Sequence, residues 1–203
     1  MKRLAILGAS GHGKVVADAA ELSGWDEVVF FDDAWPKCSK NSVWPVVGNT
    51  ADLLAAIKEF SGVAVAIGNN TIRLEKLNLL RNQGASLPTI VHPHAVVSRY
   101  AKIGEGSVIC AGVVVNADAQ IGAGVILNTG CSIDHDCLLA DAVHISPGAR
   151  LAGGTIVGTC AWIGIGAVTR QLITVGAYSV IGAGAAVIKN VPERTTVVGV
   201  PAQ

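Results

Sequence analysis

From Ala95 to about Val187 an aliphatic side chain returns every sixth residue. Val97, Ile103, Ile109, Val115, Ile121, Leu127, Ile133, Leu139, Ile145, Leu151, Val157 and Ile163 form an unbroken series of twelve. Thr169 interrupts it, and Val175, Ile181 and Val187 resume the count. Two residues earlier in each unit stands a small or medium side chain, among them Ala95, Ala101, Ser107, Ala119, Cys131, Ala149 and Ala161. Glycine repeatedly follows the aliphatic position, at Gly104, Gly122, Gly158, Gly164, Gly176 and Gly182. A fixed six-residue period is the signature of a hexapeptide parallel β-helix. Each unit is a short strand and a turn, too small to bury its own apolar face. Only stacking against its neighbours gives it a core.

Composition suits such a solenoid. Aromatic residues are 4% of the chain, whereas glycine numbers 24. Charged residues reach only 15%, which is low for a wholly solvated surface and implies that other subunits cover part of it. Lys and Arg total 15, as do Asp and Glu, so nothing favours a polyanionic partner such as nucleic acid. Cys38, Cys110, Cys131, Cys137 and Cys160 are odd in number and lack CxxC spacing. Cys110, Cys131 and Cys137 fall inside the repeat and read as small, reduced, buried coil residues. With no signal peptide and no transmembrane run, the chain reads as cytoplasmic.

The region before the repeat has a different grammar. Leu4–Leu7 is an apolar strand that runs directly into Gly8-Ala-Ser-Gly-His-Gly13. A helical pattern follows from Lys14 to Ser23, then a strand at Val28–Phe31 ending in Asp32-Asp33. Asp52 to Phe60 reads as a helix, Val63–Ile67 as a third strand, and Thr71 to Asn82 as a helix entered through Gly68-Asn69-Asn70. Strand, glycine loop, helix, strand and acidic pair make a nucleotide-binding α/β unit. The glycine spacing is G-x-x-G-x-G, so a dinucleotide is not implied. Small residues let the backbone approach a phosphate, whose charge the helix N-terminus can receive. Asp32 or Asp33 can accept from a ribose hydroxyl or a base N–H, and His12 stands beside them. Lys14 reads equally as a phosphate contact or a surface residue. Pro88, Pro93 and the change of period place a boundary near residues 85–94, giving an α/β unit over 1–90 and a β-helix over 91–203.

Within the coil, polar departures from the packing pattern are informative. The densest is Asn128-Thr-Gly-Cys-Ser-Ile-Asp-His-Asp136, with His144 following. An imidazole accepts a proton near neutrality, and a carboxylate on its second nitrogen fixes the tautomer and stabilises the cation. Asp134 and Asp136 both flank His135, and alternation along a strand leaves open which one turns back to the ring. Two other readings are weaker. A scaffold has no use for clustered histidines and carboxylates, and a carbonic-anhydrase-type hexapeptide protein needs a third zinc histidine besides His135 and His144. His92 and His94, which precede the coil proper, do not supply it. A catalytic cysteine has no positional support.

Together, GASGHGKV, FFDD, IGNN-x-x-R, N-T-G-x-x-I-x-H-[DE] and the terminal VVGVPA resemble the sugar-nucleotide acetyltransferases. These include the UDP-4-amino-sugar N-acetyltransferases of bacillosamine synthesis and the related sialic-acid O-acetyltransferases. The resemblance spans nearly the whole chain. It implies a Rossmann-like domain for the sugar nucleotide, a left-handed β-helix that binds acetyl-CoA without a metal, and a homotrimer with active sites between subunits. It also implies His135 as general base and Asp136 as its orienting carboxylate. His144, Gly153, Ile165 and Ala183 fall on acetyl-CoA positions, Gly153 offering a backbone N–H to the thioester oxygen. Ser10, Gly11, His12, Asp32, Asp33 and Gly68 fall on the nucleotide-sugar site. The implied reaction is direct acetyl transfer to the 4-amino group of a nucleotide-linked 4-amino-4,6-dideoxy sugar, with UDP as the expected nucleotide; the alternative keeps the fold and acetylates a sialic-acid-type hydroxyl.

Overall fold

The computed structural model describes residues 1–203. It opens on a five-stranded sheet in the order β3-β4-β2-β1-β5, comprising β1 (Arg3–Leu7), β2 (Glu27–Phe31), β3 (Lys40–Asn41), β4 (Trp44–Gly48) and β5 (Gly62–Val65). All pairings are parallel except β3 with β4. Three helices cover the sheet: α1 (Gly11–Leu22), α2 (Thr50–Ala55) and α3 (Asn70–Asn82). Strand alternation sends Leu4, Ile6, Val28 and Phe30 into one buried cluster, with Val16 and Ala20 of α1 and with coil residues. Ala5, Leu7, Val29 and Phe31 form the other, with Leu53 of α2 and with Leu77 and Leu80 of α3. Burial on both faces explains why these strands read as continuous apolar runs.

Two local readings change. The helix expected over Asp52 to Phe60 starts earlier and stops sooner, at Thr50–Ala55, with a separate 3₁₀ turn at Ile57–Glu59. Its start is set by a capping box: Asn49 accepts from Ala51 N–H and Asp52 N–H, and Asp52 returns a bond to Asn49 N–H. The short β3 and β4 strands lack the apolar alternation that marks a strand, and they form an edge held by tertiary contacts.

The remainder is a three-faced parallel β-helix of the left-handed type. Face one has six strands: Val96–Val97, Val114–Val115, Ser132–Ile133, Arg150–Leu151, Val168–Thr169 and Ala186–Val187. Face two has five: Lys102–Ile103, Gln120–Ile121, Leu138–Leu139, Ile156–Val157 and Thr174–Val175. Face three has seven: Ile90–Val91, Val108–Ile109, Ile126–Leu127, His144–Ile145, Trp162–Ile163, Val180–Ile181 and Thr196–Val197. Three hexapeptides make one coil, and each strand pairs with the strand eighteen residues on, as Val115 does with Ile133, until the last turn, where Val180 lies opposite Thr196. The six-residue series therefore points inward from all three faces. Fully burying each such side chain contributes roughly 1.5–3 kcal/mol.

Thr169 breaks the aliphatic series for a reason that lies inside the coil. Its hydroxyl accepts from Ala152 N–H at 3.1 Å and meets the Thr155 hydroxyl at 3.0 Å, while Thr155 donates to Ala152 O at 2.6 Å. Thr155 is fully buried, so this pair satisfies polar groups that water does not reach. Thr169→Val restores the repeat yet strands the Ala152 N–H. We expect a loss of about 1–3 kcal/mol in urea unfolding, where a purely apolar core would show a gain.

Candidate active site

The chain runs from face one to face two through the corner that holds His135 and Asp136. Eighteen-residue stacking places Gly153 and Gly154 directly above them, and Gln171 and Leu172 above those. These six residues line a cleft of about 450 Å³. Asp136 turns the chain in the left-handed region at φ 60°, where Asp is among the few non-glycine residues tolerated. That turn swings its side chain back to the ring: Asp136 Oδ2 lies 2.7 Å from His135 Nδ1. Asp134 is occupied elsewhere, accepting from Asn116 Nδ2 at 2.9 Å. Of the two flanking carboxylates, Asp136 is thus the one that meets the imidazole.

With Nδ1–H donated to Asp136, His135 Nε2 is left as the acceptor. Gly153 makes room for it. A Cβ on Gly153 would lie 2.6 Å from both Nε2 and Cε1 of the ring. The Gly153 N–H makes no backbone hydrogen bond, so an unpaired donor and an unpaired acceptor share the cleft. The hydrogen bond to Asp136 is the main influence raising the His135 pKa, and the charges of Asp136 and Asp134 add to it.

His144 is elsewhere. It sits on face three, 8% exposed, with its ring stacked on Trp162 at 5.0 Å and its Nε2 3.4 Å from Asn128 Nδ2. Face three is the face that α1 packs against, and the His135 corner lies on the opposite edge of the prism. The imidazoles of the one coil are therefore not brought together within the chain. His144 belongs instead with His12. His144 is buried and His12 half-buried, and each retains a buried ring nitrogen, Nδ1 of His144 and Nε2 of His12, with no partner. Burial first, then the charge of Arg73, pushes His12 down to about 4; the same two causes and the proximity of His12 push His144 down to about 3. Ile165 and Ala183 stack one above the other on the third edge, between faces three and one, where Gly184 N–H bonds to Ile165 O.

The α/β residues form a second cleft, of about 270 Å³, lined by Gly8, Ser10, Asp32, Asp33, Ile67, Gly68 and Lys76 among others. Gly8 turns at φ 109° into α1, and Gly13 lies so close to Gly8 O that a Cβ there would approach it to 2.5 Å. The first turn of α1 has no acidic residue, and its N–H groups suit an anion. The two aspartates differ in role. Asp32 accepts from Ala9 N–H at 2.7 Å and Ala34 N–H at 2.9 Å, stapling the glycine loop to β2. Asp33 accepts from Thr50 N–H at 2.9 Å and pairs with Lys76 at 3.5 Å, and its pKa is lowered chiefly by Thr50. Gly11 and Gly68 have open space where a side chain would stand. Lys14 is exposed and lines neither cleft.

Sequence reading passed over Thr50, Lys76, Gln171 and Leu172. The last two were accessible through the eighteen-residue row of His135. Thr50 and Lys76 come from α2 and α3 and carry no local signal. No group of three or more His, Cys, Asp or Glu side chains is arranged to hold a metal ion.

Comparison with known proteins bears on this geometry. Residues 3–80 match the family described as PglD N-terminal domain. The chain is 38% identical over 114 residues to a UDP-N-acetylbacillosamine N-acetyltransferase of Bacillus subtilis (strain 168), a match covering 55% of this chain and about half (52%) of that relative. The acetyltransferase domain of PglB from Neisseria gonorrhoeae FA1090, solved in complex with acetyl coenzyme A, superposes with a TM-score of 0.96 at 44% identity, covering 100% of this chain and 98% of that one. A histidine mutant of GDP-perosamine N-acetyl transferase from Caulobacter crescentus, in complex with CoA and GDP-perosamine, superposes with a TM-score of 0.96 at 37% identity, covering 100% and 96%.

Replacing Asp136 by Asn removes the main cause of the raised His135 pKa. Imidazole titration followed by NMR should place the His135 pKa lower in Asp136→Asn than in the wild type. An unchanged value would mean that the Nδ1 contact is not maintained in solution.

Proposed function

This chain belongs to the sugar-nucleotide N-acetyltransferases built from a PglD N-terminal domain and a left-handed β-helix, and we propose that it moves the acetyl group of acetyl-CoA to the 4-amino group of a nucleotide-linked 4-amino-4,6-dideoxy sugar, UDP-linked as in its Bacillus relative. The observation that carries this reading is the His135–Asp136–Gly153 corner, with a free imidazole acceptor beside a free backbone donor.

The acceptor arrives largely as an ammonium and gives its first proton to water; His135 Nε2 takes the second as the neutral amine attacks. Its nitrogen forms a bond to the thioester carbonyl carbon, and the carbonyl oxygen takes up negative charge that the Gly153 N–H can receive. The C–S bond then breaks, and the departing thiolate takes the proton back from the imidazolium. Asp136 stabilises that imidazolium throughout. Direct transfer is favoured by the state of the thiols. Cys137, two residues from the base, points inward and donates to Ala152 O at 3.4 Å. Burial raises its pKa, and pushes Cys110 to about 11 and Cys131 to about 12, so none presents a thiolate for acyl transfer.

One protomer does not hold the whole site. The nucleotide cleft and the His12–His144 pair lie on the α/β side of the coil, and His135 lies on the opposite edge. We assign the completed site to a homotrimer in which the His135 edge of one copy faces the stacked His144–Trp162 pair of its neighbour, with Ile165 and Ala183 along the pantetheine arm. Exposed apolar side chains on these parts support the packing: Trp162, Ile165, Val168 and Leu172, the last 76% exposed.

Thiol release from acetyl-CoA with UDP-linked 4-amino sugars tests the activity. His135→Ala should slow acceptor-dependent release by roughly 10²–10⁴-fold, and wild-type kcat/KM should rise with pH through a His135 pKa above the ordinary imidazole value of about 6.5. Release with a sialic acid but with none of the UDP-, dTDP- or GDP-linked amino sugars would replace this reading by O-acetylation. The shared site predicts complementation. Refolding His135→Ala together with a Gly68→Phe variant, whose added ring fills open space in the nucleotide cleft, should recover activity that neither has alone; no recovery would place base and nucleotide in one copy.

A further inference from the structure

Arg73 takes no part in the chemistry above, yet it is 1% exposed and heads the fully buried side chains of the protein. A guanidinium has five N–H donors in a fixed fork, and here each meets an oxygen. Nε donates to Gly124 O at 2.7 Å; Nη1 donates to Ile67 O at 2.9 Å and Gly68 O at 3.2 Å; Nη2 donates to Asn70 Oδ1 and Ala142 O, both at 2.8 Å. None of these partners is a carboxylate. Asn70 extends the ladder, its Nδ2 donating to Cys160 O at 3.0 Å and Ala161 O at 3.1 Å.

Gly124, Ala142 and Cys160 are one row. They stand eighteen residues apart at the corner between faces two and three, and all three take left-handed φ values, 62°, 54° and 57°. Helix rise makes the match possible. Three residues of α3 climb about 4.5 Å, close to the roughly 4.8 Å between stacked coils. Asn70 reads the upper coil, Arg73 the two below it, and Leu77 packs where Gly124 and Gly106 leave no room for a Cβ. Arg81 closes the series on Glu105 at 2.6 Å.

The two ends of this ladder matter for the site. Ile67 and Gly68 wall the nucleotide cleft, and Ala142 immediately precedes the Val143–His144 step on the coil. We propose that Arg73 is a positioning residue for the acceptor. By tying the Ile67–Gly68 wall to the corner carbonyls of the coil, it sets the height at which the nucleotide-linked sugar is presented to the acyl-transfer edge. The proposal rests on the reading of the glycine-loop cleft as the nucleotide-sugar site. Lysine keeps the charge but offers three donors from a single point, so it holds one side of the ladder and releases the other.

The experiment compares wild type, Arg73→Lys and Asn70→Ala in steady-state turnover, and titrates each with UDP and with CoA by calorimetry. For Arg73→Lys the nucleotide-sugar KM should rise about tenfold and kcat should fall by up to about 10²-fold, the size of effect of a 1 Å misplacement. The acetyl-CoA KM and CoA affinity should stay within about twofold of wild type. Equal changes in both KM values, or a loss that merely tracks the folded fraction measured by circular dichroism, would overturn the proposal. If Arg73→Lys does not fold, Asn70→Ala decides: it leaves Arg73 bonded to Gly124 and Ala142, and it should show the same one-sided split at smaller amplitude. A wild type silent with UDP-, dTDP- and GDP-linked amino sugars would sink the functional reading, and the UDP-against-CoA calorimetry would then judge Arg73 alone.

Discussion

Eighteen-residue register is the constraint on which the rest of the molecule depends. Parallel pairing of each strand with the strand one coil later fixes every residue above its counterpart. A slip of one residue would turn the aliphatic series outward on all three faces, so register is specified by the whole core rather than by any single contact. Once it is fixed, a chemical property given to one corner becomes a vertical row. The row of His135 and Gly153 is such a case: the imidazole fits because the residue above it lacks a side chain. The row of Gly124, Ala142 and Cys160 is another, where left-handed corners turn carbonyl groups outward as acceptors. The proposed catalytic corner and the docking of the α/β unit thus use the same structural device on different edges.

The six-residue period was legible because burial imposes it, and the α/β grammar because strand and helix periodicities differ. The site was legible only along rows. Gly153 stands eighteen residues after His135, and the two do meet. His144 stands nine residues after His135, which is half a coil, and the two therefore face away from one another. Counting residues within a window suggested a cluster; counting them against the coil period separates them. The choice between Asp134 and Asp136 needed the backbone, since it turns on a left-handed φ at Asp136 that sequence does not specify. Thr50 and Lys76 join Asp33 from distant helices, and Asn49 moves the start of α2 by a side-chain cap that apolar periodicity overlooks.

Arg73 shows a different kind of blindness. The IGNN-x-x-R pattern places an arginine in the first turn of a helix, where its ordinary fate is a solvated surface. Nothing in the local sequence announces a column of coil carbonyls at matching height. The match follows from two unrelated numbers, helix rise and strand spacing, that coincide when three helical residues climb one coil. Surrounding a buried cation with carbonyl dipoles leaves its full charge in place, since no anion neutralises it. Burial lowers the Arg73 pKa only to about 10, so the guanidinium stays charged at neutral pH.

That unneutralised charge divides the histidines of the two sites into opposite electrostatic classes. His12 and His144 lie within its field with their rings largely withdrawn from water, which holds both in the neutral form down to about pH 4 and about pH 3. His135 is exposed beside two carboxylates, which raise its pKa instead. Near neutrality the first two present fixed, uncharged polar rings, while the third is free to change its proton occupancy. A transfer reaction needs both kinds of group. In the proposed transfer, neutral rings would hold an amino sugar without repelling its ammonium form, and a ring free to change protonation would take the proton of the attacking amine and return it to sulfur. The fold gives one residue type two opposite electrostatic settings by placing it on opposite sides of a prism, next to a buried cation on one side and an exposed carboxylate on the other.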